Sequence, residues 1–408
     1  MNIKISCLFL LLTLNGFAQV NDSVSNAGGT QDVYYNLSTG SKQSAPSSQW
    51  DFAFTNVLVD ASVLSNDAAG VQVYLASEDI TKWDNLDTTG LNWNRIYNSE
   101  KSWGSGAFSN LGGMHPDYGW GQYNQSTHHV TAKRLFFVKL KDGSWRKMMI
   151  EKMETNGNVS FKLANLDGSN LKIGTYSKMT NKAFNFTYYN AVKDSFLLHE
   201  APSANWDLSF SKYYSEVAPG SLYPVSGVRA NLNVKIAQRE GVPASSNDTL
   251  GLVYGTNISE IGSDWKTYDQ NLNAYKMATD RAYFVKLKNG EVWKLFFTGY
   301  VGGPSATSYF SKELIAGSAS AESLELASLY VYPNPANGQF TLLTDILDQQ
   351  APCSIQILDQ KGSIVRKIEG VQAGFRELTM QTAEFKAGLY VIELRNGNQV
   401  SRTKLFIQ

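Results

Sequence analysis

The sequence predicts an all-β chain: two related β domains in tandem, followed by a smaller β-sandwich. Three observations carry that reading. Marker segments recur in the same order about 150 residues apart. The recurring segments alternate apolar and polar residues with the period of a strand, and no stretch of about 12 residues keeps a helical period. Tyr, Phe and Trp make up 12% of the 408 residues, and such flat, bulky side chains pack well on a pleated surface.

The chain opens with Lys4 ahead of an apolar run, Leu8 to Leu14, and the small residues Gly16 and Ala18 near a cleavage point. This pattern predicts a signal peptide over residues 1–19. Its apolar run is too short to span a bilayer, and no later stretch reaches the roughly 20 apolar residues that a transmembrane helix needs. Cys7 precedes the apolar run, so it is not placed for lipidation, and Cys353 alone cannot form an internal disulfide.

The first repeat is expected over residues 20–172 and the second over 173–313. Trp50-Asp51-Phe52-Ala53-Phe54 recurs as Trp206-Asp207-Leu208-Ser209-Phe210. Lys133 to Gly143 recurs as Asp280 to Gly290, and Trp120 and Tyr123 recur as Trp265 and Tyr268. Phe136, Val138 and Leu140 fall on one face of a strand, with Lys139 and Lys141 on the other. Asp142-Gly143 and Asn289-Gly290 predict two-residue hairpin turns with φ above zero at both positions. The return strands follow at Trp145 to Ile150 and Val292 to Phe297.

A linker over 314–327 is rich in Ala, Ser, Glu and Gly and precedes a separate unit over 328–408. Tyr332-Pro333-Asn334-Pro335-Ala336-Asn337-Gly338 reads as a turn built from the strongest punctuating residues. Five strands are expected after it, at 339–344, 354–358, 374–380, 388–394 and 399–406, which suggests a small sandwich.

Lys and Arg number 36, as do Asp and Glu, so the formal charge is zero and nothing favours nucleic acid or an anionic membrane as partner. The nucleophile elbow, the zinc-protease helix, the phosphate-binding loop and the Cys-x-x-Cys pair are all missing, and no enzyme is expected. Asp51 and Asp207 recur beside Trp. As repeated acids they invite a site, but the structural role of capping a turn or accepting backbone hydrogen bonds is the commoner one. Strand aromatics facing outward would suit stacking on sugar rings.

The C-terminal unit resembles the type A sorting domain of type IX secretion. The residues that carry the likeness are Leu329 to Gly338, Leu358-Asp359-Gln360-Lys361-Gly362, Gly388 to Leu394 and Lys404 to Gln408. The resemblance implies an immunoglobulin-like sandwich, recognition by the type IX secretion apparatus as partner, and export across the outer membrane of a member of the Bacteroidota. Released and surface-attached destinations both remain open.

The two repeats resemble the HmuY family of haem-binding proteins. The matching residues are Val33-Tyr34-Tyr35-Asn36-Leu37 before Trp50 to Phe54, the hairpin from Phe137 to Lys147, and Gly157 to Phe161. This resemblance implies haem as a cofactor held between two histidines, since neutral imidazole suits iron. The chain offers His115, His128, His129 and His199. His115 paired with His128 or His129 is the candidate haem-ligand set, with Trp103, Tyr118 and Trp120 over the porphyrin faces. Adjacent strand residues point to opposite faces, so only one of His128 and His129 can serve. The second repeat has no histidine in the corresponding loop. A haem- or small-ligand-binding protein is therefore one expectation, and an adhesive surface protein that binds glycans or proteins is the other.

Overall fold

A computed structural model describes residues 19–89, 93–112, 116–317, 327–346, 353–372, 374–396 and 399–408. The expected leader lies outside them except for Gln19. The described residues are strands joined by turns and short 3-10 segments, so the all-β expectation holds. No helix among them is long and apolar enough to cross a membrane.

Two β-sandwiches precede the C-terminal unit. The larger sheet of the first runs Lys172–Ser177, Asn158–Ala164, Trp145–Met153, Leu135–Lys139 and Gln72–Ser77, all antiparallel. A short ribbon of Gly121–Tyr123 and Val130–Ala132 extends the far end of Trp145–Met153. The facing sheet is Ser195–Leu197, Phe186–Asn190, Phe52–Thr55 and Val63–Ser65. Phe136, Val138, Met148, Ile150 and Phe161 from one sheet meet Phe52, Phe54, Val63 and Tyr189 from the other in a single apolar core. Two pleated sheets pack this way when each gives every second side chain to the interior.

The second sandwich repeats the plan. Its larger sheet is Val20–Ser25, Thr307–Ala316, Val292–Val301, Arg281–Lys286 and Lys235–Glu240. Facing it are Ser221–Ala230, Leu208–Ala218, Gln31–Tyr35 and Lys42–Pro46. Val33, Tyr35, Leu208 and Phe210 meet Tyr283, Val285, Leu295, Phe297 and Phe310 in its core.

The strands are not shared out in the consecutive blocks 20–172 and 173–313. The Tyr-rich hairpin before Trp50, Gln31–Tyr35 with Lys42–Pro46, pairs with Leu208–Phe210 of the second Trp-Asp strand. The equivalent hairpin before Trp206, Phe186–Asn190 with Ser195–Leu197, pairs with Phe52–Thr55 of the first. Each half thus completes its sandwich with the hairpin that precedes the other half's Trp-Asp strand, and Val20–Ser25 also joins the second sandwich.

The recurring Asp holds each exchanged hairpin in place. Asp51, wholly buried, donates its amide to the Tyr189 carbonyl at 2.8 Å and accepts the Ala191 amide on Oδ2 at 2.8 Å. Asp207 does the same with the Tyr35 carbonyl and the Leu37 amide, both at 2.8 Å. Asn66 Nδ2 donates to the Ser47 and Trp50 carbonyls, and Asn231 Nδ2 to those of Ser203 and Trp206. Asp51 and Asp207 therefore satisfy buried backbone amides, as a structural reading of a repeated Asp anticipates.

Three local expectations need correction. The Asp142-Gly143 hairpin is a three-residue loop: Leu140 donates to the Ser144 carbonyl, Gly143 donates to Leu140, and only Gly143, at φ 85°, is left-handed. Gly290, at φ 84°, repeats this geometry, which is a type I turn closed by a left-handed glycine rather than a two-residue turn. The linker expected from 314 starts later, because Thr307–Ala316 continues as a strand with Leu314 opposite Trp293. The Pro-Asn-Pro-Ala-Asn segment, expected as a turn, lies within the strand Ala327–Asn337, which turns at Gly338 (φ 82°) into Gln339–Ile346.

The C-terminal unit is a seven-stranded arrangement in the order 364–371, 353–358, 388–396, 399–407, 327–337, 339–346 and 374–381. Besides Ala327–Asn337, alternation does not mark the strand Ile364–Val371, most of whose residues are exposed. Phe340, Leu342, Ile355, Ile357, Ile392, Leu394 and Leu405 form the core, with Cys353 buried among them.

Candidate functional site

The candidate haem ligands do not assemble as the sequence suggests. His115 lies outside the described residues. His128 and His129 sit in the loop between Gly121–Tyr123 and Val130–Ala132, ahead of the strand rather than in it. His128 is left-handed at φ 58°, and its Nδ1 lies 2.8 Å from the Tyr123 hydroxyl. Its ring meets Tyr332 edge-on at 4.9 Å, and burial lowers its pKa. His129 Nδ1 is buried without a hydrogen-bond partner among the described residues.

The second half explains the His128 position. Asn273 stands in the equivalent loop, is left-handed at φ 48°, and accepts a hydrogen bond from the Tyr268 hydroxyl. The start of the loop matches too. Asn124 Oδ1 accepts the amides of Ser126 and Thr127, and Asp269 Oδ1 accepts those of Asn271 and Leu272. His128 therefore occupies a place that a turn-forming Asn fills in the other copy.

Trp120, expected over a porphyrin, is a core residue only 1% exposed, with its indole N–H on the Ala61 carbonyl at 2.7 Å. Trp103 donates to the Ala230 carbonyl and so ties the first half to the second. His199 is fully buried, with Nε2 2.8 Å from Asp32 Oδ2 and its ring among Tyr34, Trp50 and Tyr188.

A different group of aromatic side chains gathers at the surface. On the outer face of the first large sheet, cross-strand register aligns Gln72, Lys139 and Trp145 in one row. Tyr74, Phe137 and Lys147 make the next. Tyr74 and Trp145 lie 5.7 Å apart at 38°, and Trp93 meets them at 5.4 and 5.3 Å. Trp93 stacks on Phe137 and stays 45% exposed. Polar atoms rim the rings: the Tyr74 hydroxyl donates to Gln72 Oε1 at 2.7 Å, and Lys139 Nζ stands 5.8 Å from the Trp145 centroid. Ring faces edged by hydrogen-bonding groups suit a ligand with one apolar face and a polar rim.

The sequence suggests outward-facing strand aromatics in general but does not single out these three. In the sequence Trp145 stands out only as the first residue of a return strand, and neither Tyr74 nor Trp93 belongs to a recurring segment. Among the described residues no cluster of three or more His, Cys, Asp or Glu could hold a metal ion.

Comparison with known proteins singles out the C-terminal unit. Residues 330–408 match the family described as a secretion system C-terminal sorting domain. No curated protein matches the chain. Among solved structures it is similar to dimeric latent PorU from Porphyromonas gingivalis, with 11% identity, a TM-score of 0.19, and coverage of 83% of this chain and 34% of that one. It is also similar to the BSP domain of a biofilm associated protein, with 9% identity, a TM-score of 0.17, and coverage of 100% and 84%. The chain thus spans about a third of the PorU chain, and at such TM-scores neither likeness bears on fold or function. Residues 330–408 are a type IX sorting domain, which makes this chain a cargo of the type IX secretion machinery, delivered to the cell surface or the extracellular space.

Proposed function

We propose that this cargo is a glycan-binding surface or secreted protein that holds its ligand without turning it over. The observation that carries the reading is the Tyr74–Trp93–Trp145 group on the outer face of the first large sheet, with Trp93 exposed and the other two rings half-buried beside it. A pyranose ring presents C–H groups on one face and hydroxyls around its edge. The first would lie on the indole and phenol faces, and the second would reach Gln72 and Lys139. The zero net charge agrees with a neutral ligand better than with nucleic acid.

The test is affinity electrophoresis of the mature chain in gels that contain a panel of neutral polysaccharides. Retardation by at least one polysaccharide, lost in Trp93→Ala and Trp145→Ala, is expected. Equal mobility of wild type and both variants in every gel would remove the reading. Reducing ends should not accumulate when the retarding polysaccharide is incubated with the protein; their accumulation would make the chain an enzyme.

Haem is the second reading, favoured by a cavity of about 520 Å³ beside His128, bordered by Tyr118, Tyr123, Met153, Tyr332 and Pro333. The Tyr123 hydroxyl on Nδ1 orients the imidazole much as a partner on the outer nitrogen orients a metal-bound histidine. A haemin titration separates the two readings. A saturable, sharp Soret band lost in His128→Asn would assign haem, and a featureless titration would leave the glycan surface.

A further inference from the structure

The exchange of hairpins creates a small cavity of about 60 Å³ between the two halves. Its lining comes from both, and includes Trp50, Ser65 and Trp103 from one and Trp206, Ser211 and Arg229 from the other. The hydrogen bonding of this lining is lopsided. Its carboxylates are already engaged. Asp32 bonds His199, Asp67 accepts from the Asn98 amide and side chain, and Glu200 accepts the Phe186 amide at 2.7 Å.

The groups left over can all donate, the Tyr213 hydroxyl among them. Trp50 Nε1, Trp206 Nε1, Arg229 Nε and Ser65 Oγ are buried and have no hydrogen-bond partner among the described residues. Ser65 is 1% exposed and Trp206 2%. The Arg229 guanidinium lies over the Trp103 and Tyr213 rings at 4.3 and 4.8 Å and donates to Ser211 Oγ, and no carboxylate pairs with it among the described residues. Unpaired buried donors are costly, most of all on a charged group, and the Asp67 carboxylate, itself engaged by Asn98, meets the Arg229 charge only through space. One acceptor with a negative charge would answer both.

We propose that this cavity binds one small monoanion, either a halide or a carboxylate of the size of formate. The volume bounds the size, since about 60 Å³ is a few times the roughly 10–15 Å³ that admits one water, enough for a small anion with a water or two beside it. Two indoles and a serine hydroxyl supply neutral donors, and Arg229 supplies the charge-assisted one. The site would join the two halves through their Trp-Asp segments. It is independent of the outer aromatic face, so either can fail alone.

Trp50, Trp103 and Trp206 line the cavity and make tryptophan fluorescence the readout. The mature chain is titrated with sodium bromide at constant ionic strength, with sodium gluconate, too large for the cavity, as the balancing salt. Saturable quenching above the linear collisional component is expected. Arg229→Gln should weaken it by about tenfold or more, and Ser65→Ala by roughly threefold, because hydrogen bonds to charged groups are the stronger ones. Displacement of bromide by formate assigns carboxylates as well; saturable bromide without displacement assigns halides alone. Linear quenching that is the same in wild type and Ser65→Ala would mean that the cavity holds water only and would overturn the proposal, even if Arg229→Gln does not fold.

Discussion

On the outer face of the larger sheet, equivalent cross-strand positions carry Gln72, Lys139 and Trp145 in the first half but Lys235, Lys286 and Val292 in the second. The neighbouring row changes from Tyr74, Phe137 and Lys147 to Ala237, Phe284 and Lys294. In the second half Ala237, Phe284 and Val292 pack with Leu252, Tyr254 and Ile315, so the chain covers its own sheet. In the first half Trp93 stays largely open beside Tyr74 and Trp145. The buried framework, by contrast, is nearly the same on both sides: Asp51 with Asp207, Asn66 with Asn231, Trp120 with Trp265. Duplication has kept what closes the sandwiches and changed what faces out, as expected if ligand binding rests with one half.

The framework half of this comparison can be broken at the two Asp residues. Asp51→Ala leaves the Ala191 amide unpaired and strips Lys141, 3.2 Å away, of its buried partner; a loss of about 3 kcal/mol is expected from removing one member of such a pair. Asp207→Ala leaves only the Leu37 amide without its acceptor and should cost about 2 kcal/mol. Calorimetric unfolding of the mature chain checks the order. Equal losses would show that the Lys141 bridge adds nothing.

The outer face can be sharpened next. Trp145→Ala should weaken the glycan interaction about tenfold, roughly 1.4 kcal/mol. Val292→Trp in the second half should leave binding unchanged, because Ala237 supplies no second ring there. A gain of binding in Val292→Trp would mean that a single tryptophan suffices.

A pH response follows from Glu200, a buried acid just after the second Tyr-rich hairpin. Burial pushes the Glu200 carboxyl up from its ordinary 4.5 to about 8, so between those values the folded chain holds a proton that the unfolded chain has released. Stability is then greatest below about pH 4.5 and falls as pH rises toward about 8. Asp207, raised by burial to about 6, adds the same sign over a lower window. Glu200→Gln should flatten the upper part of the profile, measured as unfolding midpoint against pH; an unchanged slope between pH 6 and pH 8 would exclude Glu200 as its source.

The smallest effect belongs to His128. Because Asn273 fills the same left-handed place, His128→Asn should change stability by less than about 0.5 kcal/mol, as substitutions clear of core packing do. A larger loss in urea unfolding would show that the Tyr332 contact, which Asn273 lacks, holds the loop.

The sandwiches were legible because alternation reports which side chains a strand buries. Phe136, Val138 and Leu140 lie in the core as their spacing requires. The sorting domain was legible because its residue pattern is specific from Leu329 to the last strand. The aromatic platform was not, since Tyr74, Trp93 and Trp145 come from three separate segments that only strand register and a covering loop bring together. The histidines misled for a related reason. Spacing placed His128 near a strand, but a left-handed turn closed by the Tyr123 hydroxyl decides where its ring lies.

By itself the amino-acid order determined an exported, duplicated β chain with a C-terminal address, because period, turn residues and motif are properties of short segments. Which Tyr-rich hairpin completes which sandwich was decided only in the tertiary structure. The two hairpins and the two Trp-Asp strands are alike in local propensity, so both pairings satisfy the same alternation. The choice falls to long-range packing that no local pattern records, because Asp51 on Ala191 and Asp207 on Leu37 are equivalent contacts that either pairing would make.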